Sequence, residues 1–364
     1  MKKILVTPAN FGLGHATRTI PIIKELEFRG HEINIATNGS ALTLLKKEFP
    51  QIKYYELPTY PQNLQSAGSM STYHLLKEIY EINRVFNKEN KFIKKIDEKE
   101  DYDLIISDGR YGAYIKDKPS LLIMHQLKFK SQSFLKIFDS LTEYFNNYYF
   151  SNFDKIIIPD NKSESQSLSG DISKITIPSL EKKSYYTGIL CNLEQTSMSK
   201  DIDVLVSISG PEPYRSNLEE IIMKQVTSID KKNKIVLLGK PGNELDYMLD
   251  NNTRAISHVS RDQMAELMNR SKIIITRSGY TTIMELANIE HKKGLFIPTP
   301  GCLEQEYLSQ RYMDKKWFYS IAQDKLNLTE DIKEIDKHNG FPEMSKSKDN
   351  VKKLYDDILI KYLN

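Results

Sequence analysis

The sequence predicts an α/β protein of two Rossmann-like domains facing a central cleft. Three observations predict it. The chain has 364 residues, more than one small core needs. Short apolar runs alternate with longer amphipathic ones. A polar break interrupts that rhythm near the middle, at Gly188–Lys200, "GILCNLEQTSMSK". Continuous apolar strands separated by helices indicate parallel sheets covered on both faces.

In order, the first strand is Lys3–Thr7, followed by a glycine-containing loop and a helical pattern at Thr19–Leu26. Strands follow at Glu32–Thr37, Leu104–Ser107, Leu121–Met124 and Lys155–Pro159. After the break the series resumes with Val204–Ser209, Lys234–Leu238, Arg254–Ser257, Lys272–Thr276 and Gly294–Ile297, with helices at Leu218–Val226 and Arg261–Asn269. These give an amino-terminal domain over 1–190, a carboxy-terminal domain over 201–345 and a final helix, 346–364, packing back on the first domain. In open parallel sheets ligands bind beyond the carboxyl ends of the strands, so loops there carry the chemistry.

Composition narrows the classes. With 51 basic and 48 acidic residues the formal charge is +3, without the concentrated basic excess of a nucleic-acid binder. Cys191 and Cys302 are isolated, which argues against a zinc site and a disulfide framework. No signal-peptide core and no bilayer-length apolar run occur, so a soluble cytoplasmic protein is expected, one that touches a membrane surface at most.

The loop "TPANFGLGHATR" after the first strand supplies Gly12 and Gly14 but Thr17 at the third glycine position of a dinucleotide fingerprint. The second strand ends on Asn38 where the ribose acid should stand. His15 in this loop reads instead as a general base, neutral near pH 7, although capping of the following helix would also explain it. Asp108 in "ISDGRYG" follows another strand and can orient the imidazole; His125 in "IMHQL" is a third candidate of the same kind, or a packed residue behind it. Two turns in the second half suit a diphosphate: "SISGPEPYR" (Ser207–Arg215) and the turn at Ser278-Gly279 before a helix that starts near Thr282. Thr282 and Glu285 have capping-box spacing, which competes with a ligand role for Glu285. Glu304, Gln305 and Glu306 open the next helix, where they suit sugar hydroxyls or a solvated helix start.

These segments together resemble the MurG-type nucleotide-sugar glycosyltransferases, of two-domain GT-B fold, most closely a bacterial and archaeal branch. The blocks are Phe11–Arg18, Ser209–Arg215 and Arg277–Leu308, with shorter likenesses at Ile105–Gly112 and Leu168–Ser173. The resemblance implies a UDP-sugar as co-substrate in the carboxy-terminal domain and no other cofactor. Glu285 would hold the ribose and Gln305 the sugar. Glu306 stands where the peptidoglycan enzyme has a second glutamine, which leaves the sugar open between a hexose and an N-acetylhexosamine. Ser278, Gly279, Thr281 and Thr282 would face the diphosphate, with Ser209 and Gly210 in place of a longer glycine-rich loop. Val259 and Ser260, in "HVSRDQM", would read the base through their backbone. The amino-terminal domain would receive a lipid or glycan acceptor near Gly12, Gly14 and His125.

The transfer implied is inverting and metal-independent. The Asp-x-Asp matches at Asp101–Asp103 and Asp201–Asp203 precede strands, at the wrong end of a sheet, and read as solvated strand starts. A UDP-sugar epimerase and a non-catalytic nucleotide-sugar binder share the fold. The first needs more histidines and acids around the donor; the second leaves His15 and Asp108 unexplained. His291, in "IEHKKG", reads as an exposed turn. The aromatic run 134–150, with Lys128 and Lys130 upstream, suits either a core or a lipid surface.

Overall fold

A computed structural model of the protein describes residues 1–59, 72–128, 146–242 and 244–364, with backbone only over 72–80. The chain forms two compact units, Met1–Asn192 with Ser345–Asn364, and Leu193–Met344.

The first unit holds a parallel sheet of β1 (Lys3–Pro8), β2 (Glu32–Thr37), β3 (Lys53–Glu56), β4 (Leu104–Asp108), β5 (Ser120–Ile123), β6 (Lys155–Ile158) and β7 (Ser184–Tyr186), in the order β3-β2-β1-β4-β5-β6-β7. Helices α1 (Gly14–Phe28), α2 (Gly39–Glu48), α3 (Thr72–Glu100) and α4 (Pro178–Lys183) connect them. Strands β1 and β4 are apolar on both faces because helices cover both sides; Ile4, Leu5, Val6, Ile105 and Ile106 are all fully buried. One face packs on α1 and α2, with Ile20, Ile23, Leu26, Ala41 and Leu45. The other carries Leu5, Ile105 and Tyr102 under α3, through Ile93 and Ile96.

The last twenty residues belong to this unit. Helix α10 (Ser347–Leu354) and the helical turns after it place Val351, Leu354, Ile358, Leu359 and Leu363 in the same cluster as α1. Fully burying such side chains contributes roughly 1.5–3 kcal/mol each, so the segment is part of the core. The stretch 188–200, expected as a polar linker, is buried through Leu193; Asn350 Nδ2 donates to Ile189 O at 3.0 Å and Ser347 Oγ to Cys191 O at 2.7 Å.

The second unit has β8 (Ile202–Ser207), β9 (Lys234–Leu237), β10 (Asp246–Asp250), β11 (Thr253–Ile256), β12 (Ser271–Thr276), β13 (Gly294–Phe296) and β14 (Tyr319–Ser320), in the order β10-β11-β9-β8-β12-β13-β14. All pairings are parallel except β10 with β11. Its helices are α5 (Tyr214–Gln225), α6 (Arg261–Arg270), α7 (Tyr280–Asn288), α8 (Leu303–Asp314) and α9 (Leu328–Glu334).

Each sheet therefore reverses its strand order beside its first strand, between β1 and β4 in one unit and β8 and β12 in the other. Such switch points open a crevice at the strands' carboxyl ends, and in each unit this positions the candidate residues. Among the described residues no helix is long and apolar enough to cross a membrane.

Candidate active site

At the first switch point Pro8, the end of β1, pairs with Asp108, the end of β4. The chain then turns into α1, which begins at Gly14, five residues before the expected start. His15 therefore lies in the first helical turn and not in the preceding loop. Gly14, Thr17 and Thr19 hid the helix from a propensity reading; here the two threonine hydroxyls donate back to Gly14 O and Ala16 O, at 3.0 and 2.9 Å, while Ala16, Arg18 and Ile20 are buried. Gly12, with φ +75°, makes the turn into the helix.

His15 Nδ1 lies 2.7 Å from Asp108 Oδ1 and 2.8 Å from Arg18 Nη2. Arg18, itself buried, donates from Nε to Asp108 Oδ2 at 2.6 Å and from Nη2 to Oδ1, and its Nη1 is 3.0 Å from His125 Nδ1. Between a carboxylate and a guanidinium, Nδ1 carries its proton toward the carboxylate, and Nε2 keeps a lone pair. Nε2 has no hydrogen-bond partner among the described residues. Burial pushes the His15 pKa below its ordinary value, with Arg18 acting in the same direction against Asp108. Burial would raise the Asp108 carboxyl, but Arg18 and then His15 more than offset it and hold it below the usual range. The product is an imidazole whose neutral form is favoured, oriented by an acid whose ionised form is favoured.

Gly109 explains itself here. It has φ +74°, and a Cβ on it would stand 2.6 Å from His15 Cε1, so only glycine lets the ring lie over the β4 turn. Arg110 beside it is buried with Glu89 of α3, Nη1 to Oε1 at 2.6 Å, and its Nη2 donates to Asn38 Oδ1 at 3.1 Å. Asn38, where a dinucleotide site has its acid, thus anchors a structural arginine.

In the second unit Glu285 sits in the second turn of α7, because the helix starts at Tyr280 with Gly279 as N-cap. Thr282 is inside the helix, so the capping box that its spacing with Glu285 allowed does not form; the capping box of this region is Ser260 with Gln263, at 3.2 and 2.9 Å, at the start of α6. That box fixes the loop holding Val259 and Ser260. The first residue of α6, Arg261, reaches across to Glu285, Nη2 to Oε1 at 3.5 Å, which brings these three positions together. Burial raises the Glu285 pKa, with Arg261 opposing it.

Other expected donor residues are already engaged. Ser278 is buried, and its hydroxyl donates to Gln305 O at 3.0 Å and accepts from Ser309 Oγ at 2.9 Å, so the side chain ties the turn to α8 and does not face outward. Gln305 Oε1 accepts from Thr299 N, and Glu306 Oε1 from Gly301 N, both at 2.9 Å, which shapes the loop before α8. In the Ser207–Arg215 turn, Glu212 Oε2 already accepts from Ser216 N at 3.1 Å, so the start of α5 is not an open anion site. Thr281 and Thr282 remain half-buried at the start of α7, and Ser209 and Gly210 are exposed beyond β8.

His291 is buried and not in an exposed turn; burial lowers its pKa to about 4, and Nε2 lies 2.8 Å from Lys293 O. The Asp-x-Asp carboxylates pair with cations at strand starts, Asp101 with Lys118, Asp103 with Lys2, Asp201 with Arg270 and Asp203 with Lys272. The aromatic run 134–150 lies outside the described residues as far as 145. Sequence reasoning missed Arg18, Arg261 and Arg277 as site residues. All three stand in segments singled out for other reasons; burial distinguishes Arg18 and Arg277 from solvated arginines, and half-burial beside Glu285 distinguishes Arg261.

The glycosyltransferase family 28 C-terminal domain matches residues 216–358. Two Methanosarcina mazei proteins, each named an uncharacterized glycosyltransferase, are similar to the chain. One is 32% identical over 168 residues, 43% of each chain, so that match spans less than half of that relative's length. The other is 26% identical over 324 residues, 84% of this chain and 81% of that one. MurG of Acinetobacter baumannii shares the fold at a TM-score of 0.56 and 12% identity, over 99% of this chain and 94% of that one. The family 28 match over the carboxy-terminal part, and sheets of this topology matched along nearly the whole chain, give the protein the GT-B fold and make it similar to glycosyltransferases, MurG among them.

Proposed function

We propose that the protein transfers a hexosyl or N-acetylhexosaminyl group from a UDP-sugar to an acceptor hydroxyl, with inversion at the anomeric carbon and without a metal. The observation that carries this reading is the His15–Asp108 pair, with the imidazole held neutral and its Nε2 unengaged. The acceptor oxygen attacks the anomeric carbon, the bond from that carbon to the diphosphate breaks, and the hydroxyl proton passes to His15 Nε2. Asp108 stabilises the imidazolium, as carboxylates do beside catalytic histidines. UDP leaves with the bonding electron pair.

On the donor side the support is the start of α7, which has neither a capping side chain nor an acid in its first turn, and Glu285 with Val259 and Ser260 beside it. Amides at such a helix start favour phosphate oxygens. The acceptor is proposed as lipid or lipid-linked on the family resemblance. The outer face of α3, with Arg84, Lys88, Lys91 and Lys95 exposed at helical spacing, supports a contact with an anionic membrane surface. Thermal-shift measurements of the purified chain with UDP-, TDP- and GDP-sugars test the donor class; stabilisation by none of them would overturn the reading.

Two further results are expected. Glu285→Ala should weaken UDP binding by about 1.5–3 kcal/mol through loss of a charge-assisted bond to the ribose, as isothermal titration would show. Unchanged UDP affinity with lowered thermal stability would leave Glu285 as the counter-ion of Arg261 alone. Activity should also survive EDTA, because amides and neutral donors stabilise the leaving diphosphate in the proposed step. Complete loss on chelation, restored by magnesium or manganese, would overturn that mechanism.

A further inference from the structure

The buried arginines among the described residues are Arg18, Arg110, Arg215 and Arg277. Three meet a carboxylate: Arg18 with Asp108, Arg110 with Glu89, and Arg215 with Glu212 and Glu219. Arg277 meets none. Its Nε donates to Ser209 O at 3.3 Å, Nη1 to Ile297 O and Pro298 O at 3.1 and 3.0 Å, and Nη2 to Tyr214 O and Gln323 Oε1 at 3.0 and 2.7 Å. All five donors are satisfied, yet the charge is not. Burial lowers its pKa to about 10, which leaves it a cation at neutral pH. A buried cation without an anion is costly, and folded proteins rarely keep one without a reason.

Its position supplies the reason. Arg277 is the first residue after β12, at the switch point of the second sheet, between the tips of β8 and β13. A trans peptide points its C=O and N–H in opposite directions, so turning Ser209 O inward to Arg277 turns the Gly210 N–H outward. That amide has no hydrogen-bond partner among the described residues. Gly210 has φ +115°, a conformation that glycine adopts freely. A second unsatisfied donor lies close by: the Thr299 hydroxyl is buried without a partner, and a Cβ built on Gly210 would stand 3.5 Å from it and 3.7 Å from Arg277 Nε. A cation without an anion, a free amide and a hydroxyl without an acceptor converge on one turn.

We propose that Arg277 is a positioning residue for the donor's diphosphate: it holds the Ser209–Gly210 peptide with its N–H outward, pins the Ile297–Thr299 loop, and offsets the phosphate charge from beneath. Thr299 Oγ1 and Gly210 N are the groups that touch a phosphate oxygen. The inference rests on the donor reading above. It explains why the arginine carries five bonds to neutral oxygens: the guanidinium orders the loops in the free protein, and its counter-ion arrives with the substrate.

The test compares affinities for UDP and for uridine, which lacks the phosphates, by calorimetry on the full chain and its variants. Arg277→Met should weaken UDP binding about 10–100-fold while changing uridine binding far less; Arg277→Lys, which keeps the charge, should retain most of the preference for UDP. Thr299→Val, nearly isosteric at a hydroxyl with no partner to lose, keeps the test decisive if the methionine variant does not fold, and should reduce the preference for UDP several-fold. An equal fall in UDP and uridine affinity in Arg277→Met, or an unchanged preference in Thr299→Val, would overturn the proposal. If the wild-type chain itself binds UDP no better than uridine, the donor reading and the proposal fall together. A wild-type preference that survives both substitutions sinks the proposal alone.

Discussion

Replacing His15 by alanine is expected to slow turnover about 10²–10⁴-fold, the usual contribution of a general base. UDP affinity should stay nearly unchanged. The split follows from where the residue stands. His15 belongs to the first unit and bonds to Asp108 and Arg18, whereas the groups assigned to the nucleotide, Glu285, Val259 and Ser260, belong to the second. The substitution removes the acceptor for the hydroxyl proton and leaves the donor groups intact. Asp108→Asn should give a smaller loss, because an amide still hydrogen-bonds the ring but no longer balances the imidazolium. Steady-state kinetics beside UDP titration measure both effects. Near-normal turnover in His15→Ala would move the base to Asp108 or His125, and loss of UDP binding would assign the glycine loop to the donor.

Arg18→Met should cost about 3–5 kcal/mol of stability, because it leaves the buried Asp108 carboxylate without its cation. The same change alters the pH dependence, with a definite sign. In the wild-type protein the His15 pKa lies below its ordinary value of about 6.5, so the acid limb of kcat/KM should fall below pH 6.5. Removing Arg18 removes a neighbour that disfavours the imidazolium and leaves Asp108 to favour it. The His15 pKa then rises and the acid limb moves to higher pH. A raised folded-state pKa contributes stability below the unfolded value and loses it as pH rises, whereas the depressed wild-type pKa costs stability as pH falls below about 6.5. The stability gap between the two proteins should therefore narrow on acidification. Equal gaps at pH 5 and pH 8, with an unmoved acid limb, would show that Arg18 does not tune His15.

Ten of the strands were legible as apolar runs, because central strands are buried on both faces and their composition follows from that. The four that were missed, β3, β7, β10 and β14, are the four edges of the two sheets. Edge strands are short and half-solvated, and β10, "DYMLD", carries exposed Tyr247 and Met248. Their pairing is decided by a neighbour distant in the chain, so no local pattern announces them. The same holds for α1, whose first turn is written in residues of low helix propensity and held by burial.

For the site, the order of strands and loops was enough to place His15, Asp108 and His125 at the carboxyl ends of parallel strands. That much is local chemistry, glycines and polar residues after apolar runs, and sequence alone determined it. Which atoms those side chains bond is another matter. Ser278 turned inward, Gln305 and Glu306 went to backbone amides, and the Thr282–Glu285 box gave way to Ser260–Gln263. Nothing in the sequence sets Arg18 and Arg277 apart from surface arginines; packing takes them out of water. Whether a charge is solvated or buried, and with what partner, is set by the elements that close around it, and only the tertiary structure decides that.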